Sequence, residues 1–236
     1  MNNIFKHRHF KYDIIIWAVR WYCKYGISYR DLEEMLGERG VEVDHCTIYR
    51  WVMYYAPKML DKLKWYYKPQ LGRNWRVDET YIKVKGKWAY LYRALDKNGN
   101  TIDFYLSSTR NASAAKRFLG KALKATPRYA HPRVINTDKN SSYSKALTQL
   151  RKEGTCPQNL QHSQAKYLNN IIESDHGKLK RLIKPTLGFK SMKSAYATIQ
   201  GFELMRMFKK GQFVPFQYNK GITGEIQLIT HNLLAI

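Results

Sequence analysis

A change in the spacing of the apolar residues near residue 75 constrains the fold of this chain of 236 residues more than any other feature of its sequence. Before that point, apolar side chains recur every three or four residues, as on amphipathic helices. From Trp75 onward the period falls to two, which places Val77 and Glu79 on one side of a strand and Asp78 on the other. We therefore predict a helical segment followed by a segment built around a β-sheet.

Three helices are predicted before this change of period. Gly26 ends the first, Ser28 and Asp44 are N-caps of the second and third, and Pro57 ends the third. The predicted bounds are residues 12–25, 29–38 and 45–55. Two short helices around a turn that contains glycine, behind a supporting helix, are typical of a helix-turn-helix.

The third predicted helix is the candidate for reading DNA. If Ile48 and Val52 face the core, the polar side chains near its N-terminus point outward, where a recognition helix meets the edges of bases. Apart from Cys46, these outward side chains are predicted to contact DNA: His45, Thr47, Tyr49 and Arg50. The alternative is a three-helix scaffold whose polar residues are only solvated.

The charge of the chain favours a polyanionic partner. Lys and Arg number 41 against 18 Asp and Glu, which leaves a formal net charge of +23. Such an excess repels itself unless a polyanion neutralises it, and nucleic acid is the usual partner. A ribosome-associated or membrane-binding protein is the alternative. The basic residues are spread through structured segments, which weakens the membrane interpretation.

Other features of the sequence predict a soluble, cytoplasmic protein. Cys23, Cys46 and Cys156 are widely separated and form no CxxC pair, which argues against a zinc knuckle or a disulfide framework. The N-terminus lacks the apolar region of a signal peptide. The apolar run over residues 14–19 is too short to cross a bilayer.

The order of predicted elements after residue 74 indicates an α/β fold. Three antiparallel strands come first, and strands then alternate with helices, which implies a mixed sheet with helices on its faces. The predicted strands are 75–85, 88–96, 101–107, 134–137 and 160–162. The predicted helices are 112–125, 142–152, 168–183 and 192–209, with an amphipathic stretch over 224–234.

Four regions with different roles are predicted along the chain. They are a helix-turn-helix DNA-binding region (1–56), a basic linker (57–73), a catalytic domain (74–210) and a C-terminal tail (211–236) that could dock on the body or on a second protomer. Lysines of the linker are candidates for unspecific phosphate contact: Lys58, Lys62, Lys64 and Lys68.

Three acids occupy positions from which they could converge. Asp78 lies within the first strand, Asp138 directly follows the short buried strand 134–137, and Glu173 lies on the helix 168–183. Taken singly, each has a structural alternative: an acid on an edge strand, a helix cap or a solvated residue. Together they fit a site for two Mg²⁺ ions, which carboxylates bridge and flank during phosphoryl transfer.

Lys180 follows Glu173 by seven residues, two turns along the same helix face. His176 and Gly177 lie close to that face. An acid for a metal and a cation for the neighbouring phosphate would suit a helix beside the strand to be cut. The alternative is an ordinary solvated face that carries several lysines.

The spacing and the local sequences of these motifs resemble the DDE(K) signature of bacterial insertion-sequence transposases. Asp78 and Asp138 are 60 positions apart, 34 residues separate Asp138 from Glu173, and Lys180 follows. The local sequences WRVDETYIKVKGKW, TDK and NIIESDHGKLKR match as well. The similarity covers nearly the whole chain and is greatest to the short transposases of replicative, cointegrate-forming elements.

This resemblance implies an RNase H-like core in which Asp78, Asp138 and Glu173 bind Mg²⁺, with Mn²⁺ able to substitute. It implies that Lys180 contacts DNA and that the helix-turn-helix recognises terminal inverted repeats. It also implies a homodimer or a larger homo-oligomer that holds two DNA ends. The expected reaction is metal-dependent cleavage of the element's ends and their transfer to target DNA.

Two other functions stay open. A metal-dependent nuclease would share the carboxylates but use only water as the nucleophile. A noncatalytic helix-turn-helix regulator would leave the three acids unexplained. Glu79 and Asp175 lie beside the predicted ligands and could be confused with them, although strand alternation and helix geometry turn both away.

Overall fold

The computed structural model describes Phe5 and residues 9–66 and 73–234, apart from the side chains of Trp65 and Lys166. The chain forms two compact units. A helical unit combines Met1–Lys68 with Leu179–Ile236, and a sheet unit consists of Pro69–Lys178. This packing groups residues differently from the four predicted regions, whose roles stay predictions.

Eight α-helices and five strands occur in the described part of the chain. The helices are α1 (Tyr12–Tyr25), α2 (Tyr29–Gly37), α3 (His45–Leu63), α4 (Ala112–Ala125), α5 (Ser141–Lys152), α6 (Asn170–Ile183), α7 (Met192–Lys209) and α8 (Gly221–Leu234). The strands are β1 (Asn74–Val84), β2 (Lys87–Asp96), β3 (Thr101–Ser107), β4 (Val134–Asn136) and β5 (Gln161–Ser163). Within the described residues, no helix combines the length and the apolar character that a membrane span requires.

The ends of the first helices follow the predicted signals. Gly26 ends α1 in the left-handed conformation, at φ 61°. Ser28 caps α2 and forms a capping box with Asp31. At the start of α3, the Asp44 carboxylate accepts backbone N–H bonds from Cys46 (2.7 Å) and Thr47 (3.3 Å).

The prediction that Pro57 ends the third helix is wrong, because α3 continues to Leu63 with Pro57 inside it. An internal proline costs a helix about 3 kcal/mol. The residues beyond it, Met59, Leu60 and Leu63, are buried, and this burial of apolar surface offsets the lost hydrogen bond. The predicted linker therefore begins as helix, and residues 67–72, including Lys68, lie outside the described residues.

The C-terminal helix α8 docks within the helical unit. Its Glu225 is buried and accepts hydrogen bonds from Arg20 Nε (2.9 Å) and from Lys24 Nζ (2.7 Å), both on α1. This contact places α8 on the body of the chain, and a role of the tail in binding a second protomer stays a prediction.

The five strands form one mixed sheet in the order β3-β2-β1-β4-β5. β1, β2 and β3 pair antiparallel, while β4 and β5 run parallel to β1. Apolar residues of α4 and α5 pack against one face, where Phe118 and Leu147 join Val77 and Tyr92 in the core. On the other face, Arg93 of β2 pairs with Asp175 of α6. The predicted mixed α/β fold with helices on both faces is confirmed.

Candidate active site

The three acids of the predicted metal site come from three elements of the fold. Asp78 lies in the middle of β1, in register with Arg93 of β2, and its side chain is 16% exposed. Asp138 follows β4 by two residues, and its carboxylate accepts the backbone N–H of Asn140 at 3.1 Å. Glu173 is an exposed residue in the first turn of α6.

The negative charges of Asp138 and Glu173 influence the ionisation of Asp78. The pKa of Asp78 is raised to about 7, mainly by burial and also by the negative charges of Glu79, Asp138 and Glu173. The sheet unit therefore concentrates negative charge around Asp78 although the chain as a whole is strongly basic.

The three carboxylates are spread out rather than tightly clustered. Among the described residues, only one group of three or more Asp, Glu, His or Cys side chains has possible metal-binding atoms that all lie within 4.8 Å of one another. Asp44, His45 and Cys46 form this group. Those three are consecutive residues at the start of α3. An open arrangement of acids around Asp78 is compatible with two cations, which in two-metal sites stand about 3.5–4 Å apart.

The two neighbouring acids that could be confused with the predicted ligands are neutralised by arginines. Glu79 is buried on the opposite side of β1 from Asp78 and accepts hydrogen bonds from Arg110 Nε and Tyr143 Oη. Asp175 is buried on α6, where its carboxylate lies 2.5 Å from an Arg93 nitrogen. Both acids therefore have a structural partner within the sheet unit.

Arg110 links this buried network to the predicted site. While its Nε bonds Glu79, its Nη2 lies 3.7 Å from Oδ2 of Asp138. Partial burial disfavours the charged form of Arg110, but the hydrogen bond and the charge of Glu79 raise its pKa above the usual value. Arg110 precedes α4 in an irregular segment, so no periodicity in the sequence marks it.

His176 is the second side chain near the acids to which sequence reasoning gave no role. It is buried on α6, and its Nδ1 lies 3.8 Å from Oδ2 of Asp78. Its position three residues after Glu173 puts both on neighbouring positions of the helix surface. That spacing is the signal that could have identified it.

The residues that are predicted to contact DNA lie in the helical unit. Lys180 is exposed in the last turn of α6. At the start of α3, His45 Nδ1 lies 2.9 Å from a carboxylate oxygen of Glu33, and Tyr49 packs edge-on against Tyr29 at 5.6 Å between ring centroids.

Thr47 and Arg50 are placed differently from His45 and Tyr49. Both line a surface cavity of about 550 Å³ that also contacts Phe10 and Trp51. Arg50 is exposed and Thr47 half-buried, so Arg50 is the more accessible of the two for contact with another molecule.

Comparison with known proteins identifies relatives that match most of the chain. The sequence profile of the IS240-type DDE domain matches residues 72–212. A transposase for the insertion sequence-like element IS431mec from Staphylococcus aureus is 39% identical over 211 residues, which cover 89% of this chain and 91% of that protein. The transposase for the insertion sequence element IS257 in transposon Tn4003, also from Staphylococcus aureus, is 38% identical over the same shares.

Solved structures resemble the chain less closely. The catalytic core domain of HTLV-2 integrase in complex with magnesium has 15% identity and a TM-score of 0.43, over 56% of this chain and 82% of that one. The Mos1 strand transfer complex has 14% identity and a TM-score of 0.40, over 89% of this chain and 78% of that one. The profile match and the staphylococcal relatives show that the chain belongs to the family of insertion-sequence transposases with a DDE domain.

Proposed function

We propose that this transposase binds the terminal inverted repeats of an insertion sequence, cleaves the DNA there and joins the freed ends to target DNA, with Asp78, Asp138 and Glu173 as the catalytic acids. The observation that carries the proposal is the shared electrostatic environment of these acids, in which Asp138 and Glu173 both raise the pKa of Asp78. Acids whose negative charges act on one another across an open arrangement fit a site that works with bound cations.

The three residues fit a divalent metal. Carboxylate oxygens are hard donors of the kind that Mg²⁺ takes, together with water and substrate phosphate, and Mn²⁺ suits the same donors. When bound, the cations would favour ionisation of the attacking oxygen and stabilise charge on the leaving oxygen. Asp78, Asp138 and Glu173 would hold them.

Both chemical steps are in-line displacements at phosphorus. In cleavage, a water oxygen bonds to the phosphorus at the end of the element, the bond to the 3′-oxygen breaks, and that oxygen leaves as a 3′-hydroxyl. In transfer, this 3′-hydroxyl attacks a phosphorus of the target strand, whose own 3′-oxygen departs. Protons pass from the nucleophile to solvent and from solvent to the leaving oxygen, so neither step needs a redox partner.

The side chains around the acids would keep them in place. Arg110, held by Glu79, faces Asp138 and limits the directions in which that carboxylate can turn. His176 does the same for Asp78 from α6. Rigid support of this kind matters because displacing a reacting group by about 1 Å can cost on the order of a hundredfold in rate.

DNA recognition would fall to the helical unit. We assign contact with the terminal repeats to the start of α3, with Arg50 the most exposed candidate there, and contact with a phosphate to Lys180. Because two ends must be joined in one reaction, we propose that a homodimer or a larger homo-oligomer of the chain acts on them.

The decisive experiment is strand transfer of a labelled terminal-repeat duplex into a plasmid, with Mg²⁺ or with EDTA. Asp138→Ala should reduce joining on the order of a thousandfold, because the stabilisation that a metal gives to the transition state amounts to several kcal/mol. Glu153→Ala, which removes an exposed acid of the same unit, is the matched control and should keep wild-type activity.

Each other outcome has a defined meaning. Cleaved but unjoined DNA from the wild type would indicate a nuclease. Tight binding to the repeat with no chemistry in Mg²⁺ would indicate a regulator. Equal loss of repeat binding and joining in Asp138→Ala would show that the acid is structural.

A further inference from the structure

The outer end of the β1–β2 hairpin carries an aromatic surface for which the reaction described above has no use. Lys85 and Gly86 form the turn, with φ values of 51° and 73°. Up to Glu79, one face of β1 is buried under α4 and α5. Past Glu79 the same face becomes exposed, and it presents Tyr81 and Lys83.

Three aromatic rings meet on this exposed face. Tyr81 lies opposite Tyr90 and Lys83 opposite Trp88 in the strand register. The ring centroids of Tyr81 and Trp88 are 6.3 Å apart, and those of Tyr81 and Tyr90 are 5.4 Å apart, both edge-on. Tyr81 is 43% exposed and Trp88 is 59% exposed. We name Tyr81, Lys83, Trp88 and Tyr90 the hairpin patch.

The segment that carries the hairpin patch is also rich in lysine. The Nζ of Lys83 lies 5.5 Å from the centroid of the Trp88 ring, a cation–π contact. Lys85 lies in the turn, Lys87 directly follows it, and no acid occurs between residues 80 and 92. Exposed aromatic rings among lysines, without an acid, match a nucleic acid in both charge and shape.

The hairpin patch begins close to the candidate active site. Tyr81 follows Glu79 on the same face of β1, a distance of about 7 Å along a strand. Arg110, which bonds Glu79, also lies 3.7 Å from Asp138. The hairpin patch lies on the face of β1 opposite to Asp78 and is linked to the site through Arg110 and Asp138, so a DNA strand whose phosphate lay beside Asp138 could extend over it.

We infer that the hairpin patch binds unpaired bases of DNA beside the phosphate to be cut, an inference that rests on the proposed function for its setting. Duplex DNA keeps its bases stacked inside and offers phosphates, for which lysines alone would suffice. Exposed rings instead offer a stacking surface to bases that have left the helix, and any base can stack there whatever its sequence.

The test compares binding to two fluorescent DNA probes of arbitrary sequence, a blunt duplex and the same duplex with a single-stranded oligo(dT) tail. Anisotropy is measured in EDTA, so that no chemistry occurs. The wild type should prefer the tailed probe, and Trp88→Ala should bind that probe about tenfold more weakly while its affinity for the blunt duplex is unchanged. Trp88→Phe keeps a ring and should restore most of the preference.

Two further variants distinguish base stacking on Trp88 from attraction by lysine charge and from the mere exposure of an aromatic ring. Lys83→Ala should weaken binding to both probes and lower the slope of log affinity against log salt by about one. Tyr129→Ala removes a tyrosine of the sheet unit that is 73% exposed and should change nothing. Thermal unfolding checks that each variant is folded.

The inference is overturned if the wild type binds both probes equally, or if Trp88→Ala loses both affinities equally or neither. These outcomes differ from a failure of the proposed function. Strand transfer without hairpin-dependent tail binding would reject only the role of the hairpin patch. Hairpin-dependent tail binding without strand transfer would reject only the transposition reaction for this chain.

Discussion

Glu225 of the helical unit and Asp78 of the sheet unit stand in opposite electrostatic surroundings. In the helical unit, the buried Glu225 is matched by two cations, Arg20 and Lys24. In the sheet unit, burial and then the negative charges of Glu79, Asp138 and Glu173 raise the pKa of Asp78 to about 7. Glu225 is compensated by cations, as Glu79 and Asp175 of the sheet unit are, whereas negative charge stays concentrated around Asp78.

The difference separates charges that stabilise the fold from charges to which we assign a role in the proposed reaction. An ion pair such as that of Glu225 fixes where α8 docks, and each partner depends on the other because a lone buried charge is unfavourable. The acids of the sheet unit gain nothing from one another. In the proposed function, their mutual repulsion would lower the stability of the free protein and would be relieved when cations bind, as expected of a functional site.

The largest effect on stability should come from removing the compensated acid. Glu225→Ala leaves Arg20 and Lys24 buried without their carboxylate and should lower the free energy of unfolding by about 3–5 kcal/mol. Urea unfolding followed by circular dichroism measures it. Glu153→Ala breaks the exposed pair with Lys116 and should cost less than about 1 kcal/mol. Losses of equal size would mean that burial does not distinguish the two pairs.

A second contrast concerns packing at glycines within helices. A Cβ at Gly201 on α7 would lie 2.4 Å from the Cys23 sulfur and 2.9 Å from the Ala56 Cβ, whereas one at Gly120 on α4 would lie 3.4 Å from a Leu150 methyl group. Gly201→Ala should destabilise the helical unit by about 1–3 kcal/mol through overpacking.

Gly120→Ala is the matched substitution in the sheet unit. There the alanine meets an ordinary contact, so its better helix propensity should dominate and stabilise the protein by up to about 1 kcal/mol. Thermal unfolding of both variants gives the comparison. A tolerated Gly201→Ala would show that α1, α3 and α7 can separate to admit a methyl group.

Much of the fold could be predicted because its signals are local. The capping residues Ser28 and Asp44 and the period of two after Trp75 act through neighbours in sequence. The continuation of α3 past Pro57 could not be predicted in this way, because it depends on the burial of Met59, Leu60 and Leu63 by distant elements.

The same distinction between local signals and distant contacts applies to the residues of the candidate active site. Asp78, Asp138 and Glu173 could be singled out from their positions on predicted elements and from the resemblance of their spacing to a known signature. Arg110 could not, because its contacts with Glu79 and Asp138 lie 31 and 28 residues away in sequence, beyond any periodicity. The pairing of His45 with Glu33 was hidden for the same reason, since two helices must first pack together.

The smallest expected effect on stability tests the contrast between Glu225 and Asp78 most directly. Folding raises the pKa of Asp78, so at pH values above about 7 its ionisation opposes folding, a penalty that disappears below the pKa of an unfolded aspartate. Asp78→Asn removes that charge at nearly constant shape and should stabilise the metal-free protein at pH 8 by about 1 kcal/mol.

Asp175→Asn is the matched change, because it removes an acid whose charge is compensated by Arg93, and it should destabilise the protein. Melting temperatures in EDTA and in Mg²⁺ compare the two variants. The wild type should gain stability from Mg²⁺ and Asp78→Asn should gain less, since binding to the folded state alone raises its stability. Loss of stability in both variants, with no response of the wild type to Mg²⁺, would mean that Asp78 belongs to the fold in the same way as Glu225 and not to a metal site.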